Sequence, residues 1–245
     1  MKKLMTGVVC ALAMVSFAAA AQAAKYKEIK VVNGGSVSGK VSAGSVASKT
    51  KTFTISKDPK ICGDGTRDVK LVEVSNGVVK NAVVYLSKIK EGKAFPDALK
   101  NVTLDQKGCT FVPAFSVMAN KGKLTAVNDD GTLHNIHTYE LIGKARRTIF
   151  NVSQPNAGDK VTKKIKMRKG VGMKIECDAH DFMHGYMFVA KNPYFAVVND
   201  KGEFKISDIP PGEYKINLWQ GFLGNVKSGK VKVTAGGDTR IDLSF

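Results

Sequence analysis

Cys177-Asp178-Ala179-His180-Asp181-Phe182-Met183-His184 is the stretch on which the reading of this chain turns. It sets Cys177, His180 and Met183 at i, i+3 and i+6, so one tight loop between strands can fold three donor side chains around a single ion. The chain has four histidines, two of them in this stretch and two in Leu133-His134-Asn135-Ile136-His137. Scattered surface histidines rarely concentrate in this way. Imidazole, thiolate and thioether together select a soft-to-borderline metal, and two His and one Cys in a plane with a weak axial Met make a blue-copper electron-transfer site. Zinc asks for four strong ligands in a tetrahedron, and a thioether is a poor one. Haem attachment needs a C-x-x-C-H, which this sequence lacks, and its cysteines are too few for an iron–sulfur centre. The fourth ligand, His134, has to arrive from a separate strand.

Outward from these clusters the chain reads as β throughout. Val37, Gly39 and Val41 alternate with polar residues, as do Phe53 and Ile55, and the runs 82–86 and 111–115 are short, apolar and bounded by turn residues. Lys123 to Val127 leads through the turn Asn128-Asp129-Asp130-Gly131 towards His134. Between Val161 and Met167, Val161, Ile165 and Met167 fit a core face while Lys164, Lys166 and Arg168 fit a solvent face. The segment 95–100 has room for one helical turn. Near Pro193 a boundary is expected. Beyond it, Asn199-Asp200-Lys201-Gly202 turns into the strand 203–206, and Ile209-Pro210-Pro211-Gly212-Glu213-Tyr214 turns into the strand 215–219.

The two clusters together resemble the cupredoxin family of blue copper proteins, amicyanin and plastocyanin among them. In that family a first ligand His is followed by Asn, and Cys, His and Met come later on one loop. The resemblance covers roughly residues 105 to 190 and implies a Greek-key β-sandwich with one mononuclear copper site. It implies that His134 and His180 bind through imidazole nitrogen, Cys177 through thiolate and Met183 axially, with Asn135 joining the two ligand segments by hydrogen bonds near the sulfur. The exposed edge of His180, framed by Phe182 and Met183, is the expected electron port. The last fifty or so residues resemble the carboxypeptidase-regulatory, transthyretin-like β-sandwich. They are too few for a complete sandwich of about seven strands, so they must pack on something else, the strands around Val37 to Ile55 being candidates. The expected organisation is all-β: a signal over 1–23, N-terminal strands over 24–58, the copper domain over 59–192, and a β segment over 193–245. The N- and C-terminal strands form a second small sandwich-like part.

Rival assignments are open at three positions. Met187 competes with Met183 for the axial place, although its strand Tyr186-Met187-Phe188-Val189 favours a core role. His184 is a further candidate, but it falls outside the i, i+3, i+6 set and reads as an exposed, titrating surface residue. His137 is an odd number of residues from His134 on a strand, so it should point to the opposite face.

Compartment and charge narrow the partners. Lys2 and Lys3, an apolar run from Leu4 to Ala20 and the small-residue motif Ala21-Gln22-Ala23 form a secretory signal, making Ala24 the expected mature N-terminus. No later segment is apolar enough to span a bilayer, so a periplasmic or extracellular, cell-surface location is expected. Removal of 23 of the 245 residues leaves 222, and the loss of Lys2 and Lys3 takes the net charge from +17 to +15. Export argues against nucleic acid as the partner of these bases. An acidic redox protein such as a c-type cytochrome fits better, steered by Lys144, Arg146, Arg147, Lys163, Lys164 and Lys166. Of the mature cysteines, Cys177 has a His three residues later, which leaves Cys62 and Cys109 to pair in an oxidising compartment. The function expected is one-electron transfer without catalysis, since an oxidase would need further His clusters and all four histidines are used. A copper store or chaperone, and a β-rich subunit of a cell-surface assembly, are the competing readings.

Overall fold

The computed structural model describes residues 26–245, so the expected signal over 1–23 lies outside them. Helix among the described residues is confined to Pro59–Cys62 and a 3-10 turn at Asp97–Leu99, inside the segment expected to make one turn. No helix of the described residues is long and apolar enough to cross a membrane.

Strand alternation builds the first sandwich. One sheet has the order Phe111–Val112, Asn101–Gln106, Lys123–Asn128, Lys160–Lys164, and the other Phe115–Ala119, His184–Ala190, Gly172–Glu176, His134–Ile142, Ala145–Gln154. Leu104, Leu124, Ile165, Ile136, Met173, Ile175 and Met187 fill the space between them and are all buried. Because side chains alternate with period two, the inward row Met173, Ile175 continues to Cys177, and the inward row through Ile136 begins at His134. The expected single run 111–115 is in fact two strands in different sheets. Pro113 has no N–H to offer a ladder, and the chain crosses between the sheets there.

The outer face of the five-stranded sheet is buried as well. Phe188, Ala190 and Val171 pack with Val83 and Trp219, whose ring centroid lies 5.5 Å from that of Phe188. Gly172 makes this approach feasible, since a Cβ there would sit 2.8 Å from the indole Nε1. Double burial explains why the strand His184–Ala190 is nearly continuously apolar after its first residues.

Trp219 and Val83 belong to a second sandwich. One of its sheets runs Phe195–Val197, Val83–Ser87, Gly212–Gln220, Gly224–Val233, and the other Glu203–Ile209, Gly35–Ser42, Asp238–Arg240. Its core includes Val37, Val84, Leu86, Tyr194, Phe204 and Ile216. The strands after Pro193 are thus completed by Gly35–Ser42. They are also completed by Val83–Ser87, a strand from within the expected 59–192 unit. Alternation marks a strand but does not name its neighbour, so this insertion carries no local sequence signal.

A separate hairpin, Lys49–Thr54 with Thr66–Val72, pairs with neither sandwich. It is anchored to the first by Phe53 in the core and by a disulfide between Cys62 and Cys109. A cross-link closing a loop of this sequence separation, 47, is worth about 4 kcal/mol on the chain-entropy model.

Glu140 fixes the register of the ligand strands. Its carboxylate is fully buried and accepts the backbone N–H groups of Arg168, Lys169 and Gly170 at 2.8, 2.6 and 2.7 Å, together with the Arg147 guanidinium. It thereby ties the turn before Gly172–Glu176 to the strand that starts at His134. Burial pushes this carboxyl up, but Arg147 and the three N–H donors outweigh it, and the group sits below its ordinary value. A depressed carboxyl contributes stability that is full above its unfolded pKa of about 4.3 and fades as pH falls through the folded value. Glu140→Gln should therefore lower the unfolding free energy by about 2–3 kcal/mol at pH 7. In denaturant titrations the gap between wild type and variant should narrow below about pH 4.

Candidate metal centre

Three electron-rich atoms converge at one end of the first sandwich. His134 Nδ1 and His180 Nδ1 are 3.1 Å apart, and Cys177 Sγ lies 3.9 Å from the first and 3.7 Å from the second. All three residues are buried, at 0, 1 and 3 % exposure. The circle through the three atoms has a radius of about 2.1 Å, the length of a bond from a first-row metal to imidazole nitrogen.

The far sides of the rings decide where the protons are. His134 Nε2 is 2.9 Å from Asp130 Oδ2, and His180 Nε2 is 2.8 Å from Asp58 Oδ2. A carboxylate oxygen only accepts, so each Nε2 carries the hydrogen and each Nδ1 presents a bare lone pair. A second proton on His134 is disfavoured, because burial pushes its pKa down more than Asp130 raises it. The Cys177 thiol can donate to only one of the two Nδ1 atoms, whereas a cation between them would satisfy both lone pairs and the sulfur. The donor set of two imidazoles and a sulfur fits copper. Burial also pushes the Cys177 thiol up, against N–H donors from Asn135, His180 and Ala179. Coordination is what would release that proton.

Local chain geometry delivers these groups. The loop after Glu176 closes by Met183 N–H to His180 O at 3.0 Å and Cys177 N–H to Met183 O at 3.4 Å. Asn135 N–H points at Cys177 Sγ at 3.4 Å. The Asn135 amide accepts the Asp178 N–H and donates to Asp178 Oδ2 at 3.0 Å and Asn151 Oδ1 at 2.6 Å. The two ligand segments, 43 residues apart, are joined by this one side chain.

The other named residues fall as follows. Met183 is 1 % exposed within the same core, and Met187, 0 % exposed, pairs with Met173 in the sheet. His137 faces away from His134, stacks on Tyr139 at 4.0 Å and contacts Asp178 and Thr148. His184, expected to be exposed, is largely covered. Its ring lies 5.3 Å from that of Phe53, and Nδ1 is 3.5 Å from Glu176 Oε1. The Glu176 carboxyl is drawn down to about 2, chiefly by His184, with Lys174 adding to it. The hairpin that carries Phe53 was not foreseen over this face. His180 does not present an open edge either, because Asp58 sits on its Nε2. Of the basic residues expected to steer a partner, Arg147 is paired with Glu140, and Arg146 with Glu176 and the Tyr139 face. Lys144, Lys163, Lys164 and Lys166 are exposed.

Asp58 and Asp130, which contact the two imidazoles, are the residues of this cluster that sequence reasoning missed. Asp130 stands four residues before His134 in a stretch read only as a turn. Asp58 is 122 residues from His180, and nothing in the sequence couples them.

The chain has partial likenesses to known proteins. A family model described as polysaccharide lyase family 4, domain II, matches residues 181–241. No curated protein sequence matches. Among solved structures the chain is similar to a purple cupredoxin from Nitrosopumilus maritimus at 18% identity, covering 36% of this chain and 99% of that one with a TM-score of 0.31. It is similar to auracyanin from Roseiflexus castenholzii at 13% identity, covering 37% and 97% with a TM-score of 0.30. It is also similar to the Cu-containing nitrite reductase of Thermus scotoductus at 16% identity and TM-score 0.30, covering 37% of this chain but spanning 22% of that enzyme.

Asn135→Ala would strip partners from the Asp178 N–H and from Asn151. It should cost about 1–3 kcal/mol in chemical denaturation. The loop 177–183 should also exchange its amide hydrogens faster than in wild type.

Proposed function

We propose that the protein is an exported mononuclear copper protein that carries one electron between redox partners. The observation that carries this reading is the meeting of two imidazole Nδ1 atoms and the Cys177 sulfur within 3.9 Å of one another at a buried position. Copper held there supplies one-electron chemistry by alternating between its two oxidation states. His134, His180 and Cys177 would hold the ion, and Met183, whose N–H closes the loop on the His180 carbonyl, would add a weaker thioether donor. Anchored in one five-stranded sheet and joined through Asn135, these residues have little freedom to move, which keeps the cost of changing oxidation state small. The second sandwich, for which we retain the carboxypeptidase-regulatory-like reading, acts as scaffold through Trp219 and has no assigned activity.

An acidic redox protein is the proposed partner. Lys57 and Lys60 are exposed on the turn that covers His180, beside the residues through which an electron would leave. A pocket of about 460 Å3 lined by Phe53, Glu176, Cys177, His184 and Tyr186 gives a second approach, on the sulfur side. One observation favours a copper store instead. The His180 edge is covered, and a closed site retains its ion better than it exchanges electrons. Rapid oxidation of the reduced protein by an acidic cytochrome at low salt, slowing as salt rises, supports the carrier. Indifference to every such partner supports the store.

The copper-loaded protein should show an intense thiolate-to-copper visible band and narrow copper hyperfine splitting, both bleached by a reductant. Cys177→Ser should abolish the band and sharply weaken binding. Met183→Leu should keep the colour and raise the potential, because less donation destabilises the oxidised ion. Met187→Leu and His137→Ala should leave the spectrum nearly unchanged. A colourless copper complex of the wild type would end the blue-copper reading.

A further inference from the structure

We propose that Asp58 and Asp130 are positioning residues of the metal centre, paired carboxylates that hold both imidazoles as Nε2–H tautomers and bias the site toward the oxidised, divalent ion. The inference rests on the copper reading and adds to it what sets the relative stability of the two oxidation states.

Each carboxylate is committed to this task by its surroundings. Asp130 is buried, and its oxygens accept the N–H of Gly108 at 2.7 Å and of Cys109 at 2.8 Å as well as meeting His134 Nε2. Its own N–H is taken by Asn128 Oδ1 at 3.0 Å. The carboxylate is thus held on three sides, with one oxygen aimed at the ring. Asp58 stands at the N-cap of the Pro59–Cys62 turn, a position where Asp normally accepts an N–H of the first helical turn with its side chain. It makes no such bond. Its carbonyl oxygen accepts the N–H groups of Ile61 and Cys62 at 2.9 and 2.8 Å instead. Its φ of 51° places it in the left-handed region that non-glycine residues seldom enter. This conformation frees the side chain for His180 Nε2 and Thr132.

The disulfide couples the two. Cys62 ends the turn that Asp58 begins, and the N–H of Cys109 rests on Asp130. One cross-link therefore fixes both carboxylates behind their histidines. A hydrogen bond from the remote ring nitrogen to a carboxylate fixes the tautomer and raises the basicity of the coordinating nitrogen. Two such bonds plus a thiolate stabilise a doubly charged ion more than a singly charged one. Asp130, being buried, should act more strongly than Asp58, whose side chain is 43% exposed and partly screened by water.

The test uses the full mature protein loaded with copper, comparing wild type, Asp58→Asn, Asp58→Leu and Asp130→Asn. Asparagine can still accept the Nε2–H, so Asp58→Asn removes charge and leaves the contact. It should lower Cu(II) affinity about tenfold relative to Cu(I), the lower end of the range for such partners, which corresponds to a rise in midpoint potential of about 59 mV. Asp58→Leu should add loss of the His180 restraint. In nitrogen-15 spectra of the diamagnetic Cu(I) protein, the protonated Nε2 of His180 should be slow to exchange in wild type and fast in Asp58→Leu. Asp130→Asn should raise the potential further than Asp58→Asn; since Asp130 also supports the fold, the decisive variant is Asp58→Asn. A coloured wild type whose potential is unmoved by Asp58→Asn overturns the inference while the copper reading stands. So does a His180 whose Nε2 carries no proton. A wild type that binds no copper overturns the copper reading itself and the inference with it.

Discussion

Two imidazole nitrogens 3.1 Å apart, each with a carboxylate accepting the ring proton on the far side, turn two lone pairs toward each other beside the Cys177 sulfur. In water such lone pairs would be solvated. Here they are buried, and desolvation without a partner is costly. Much of the first sandwich can be understood as the apparatus that holds this arrangement in place. Cys177 ends one inward row of side chains and His134 begins another. Glu140 keeps the strands bearing them in register, and Asn135 ties the two segments behind the sulfur. Release of any one of these restraints would let the rings turn apart and separate the two lone pairs.

Layering supplies the rigidity. The five-stranded sheet is packed on both faces, by the core around Ile136 and Met173 on one and by Trp219 and Val83 against Phe188 on the other. A strand held from two sides has little room to shift, so the positions of Cys177 and His134 are fixed by the packing. The second sandwich contributes to the site in this mechanical sense, and its own core of Val37, Leu86, Phe204 and Ile216 is separate.

The hairpin adds chemistry as well as cover. It brings Phe53 over His184, sets Asp58 on His180, and stacks Arg67 on the Phe182 ring at 4.8 Å while the same guanidinium binds the carbonyls of Cys62 and Cys109. An imidazole edge that would be open in the bare sandwich is closed. Closure keeps water from the two imidazoles and the sulfur; in the proposed copper protein the same turn of chain would favour retention of the ion over fast electron exchange.

Sequence alone determined the donor types, their grouping and the all-β class, because these depend on local spacing. Three residues apart on a loop, Cys177 and His180 can hardly avoid one another, and alternation along Gly172–Glu176 makes an inward Cys177 follow from an inward Ile175. The pairing of Cys62 with Cys109 was legible by the same kind of counting, once Cys177 had another use. What only the tertiary structure decided depends on contacts between segments far apart in the chain. These include the sheet to which Val83–Ser87 belongs, the covering of His184, the pairing of Arg146 and Arg147 with acids, and the carboxylates behind both histidines. An aspartate in a turn looks the same in sequence whether it faces water or a ring 122 residues away. Position along the chain carries no information about that distance until the hairpin is folded back and its cysteine is joined to Cys109.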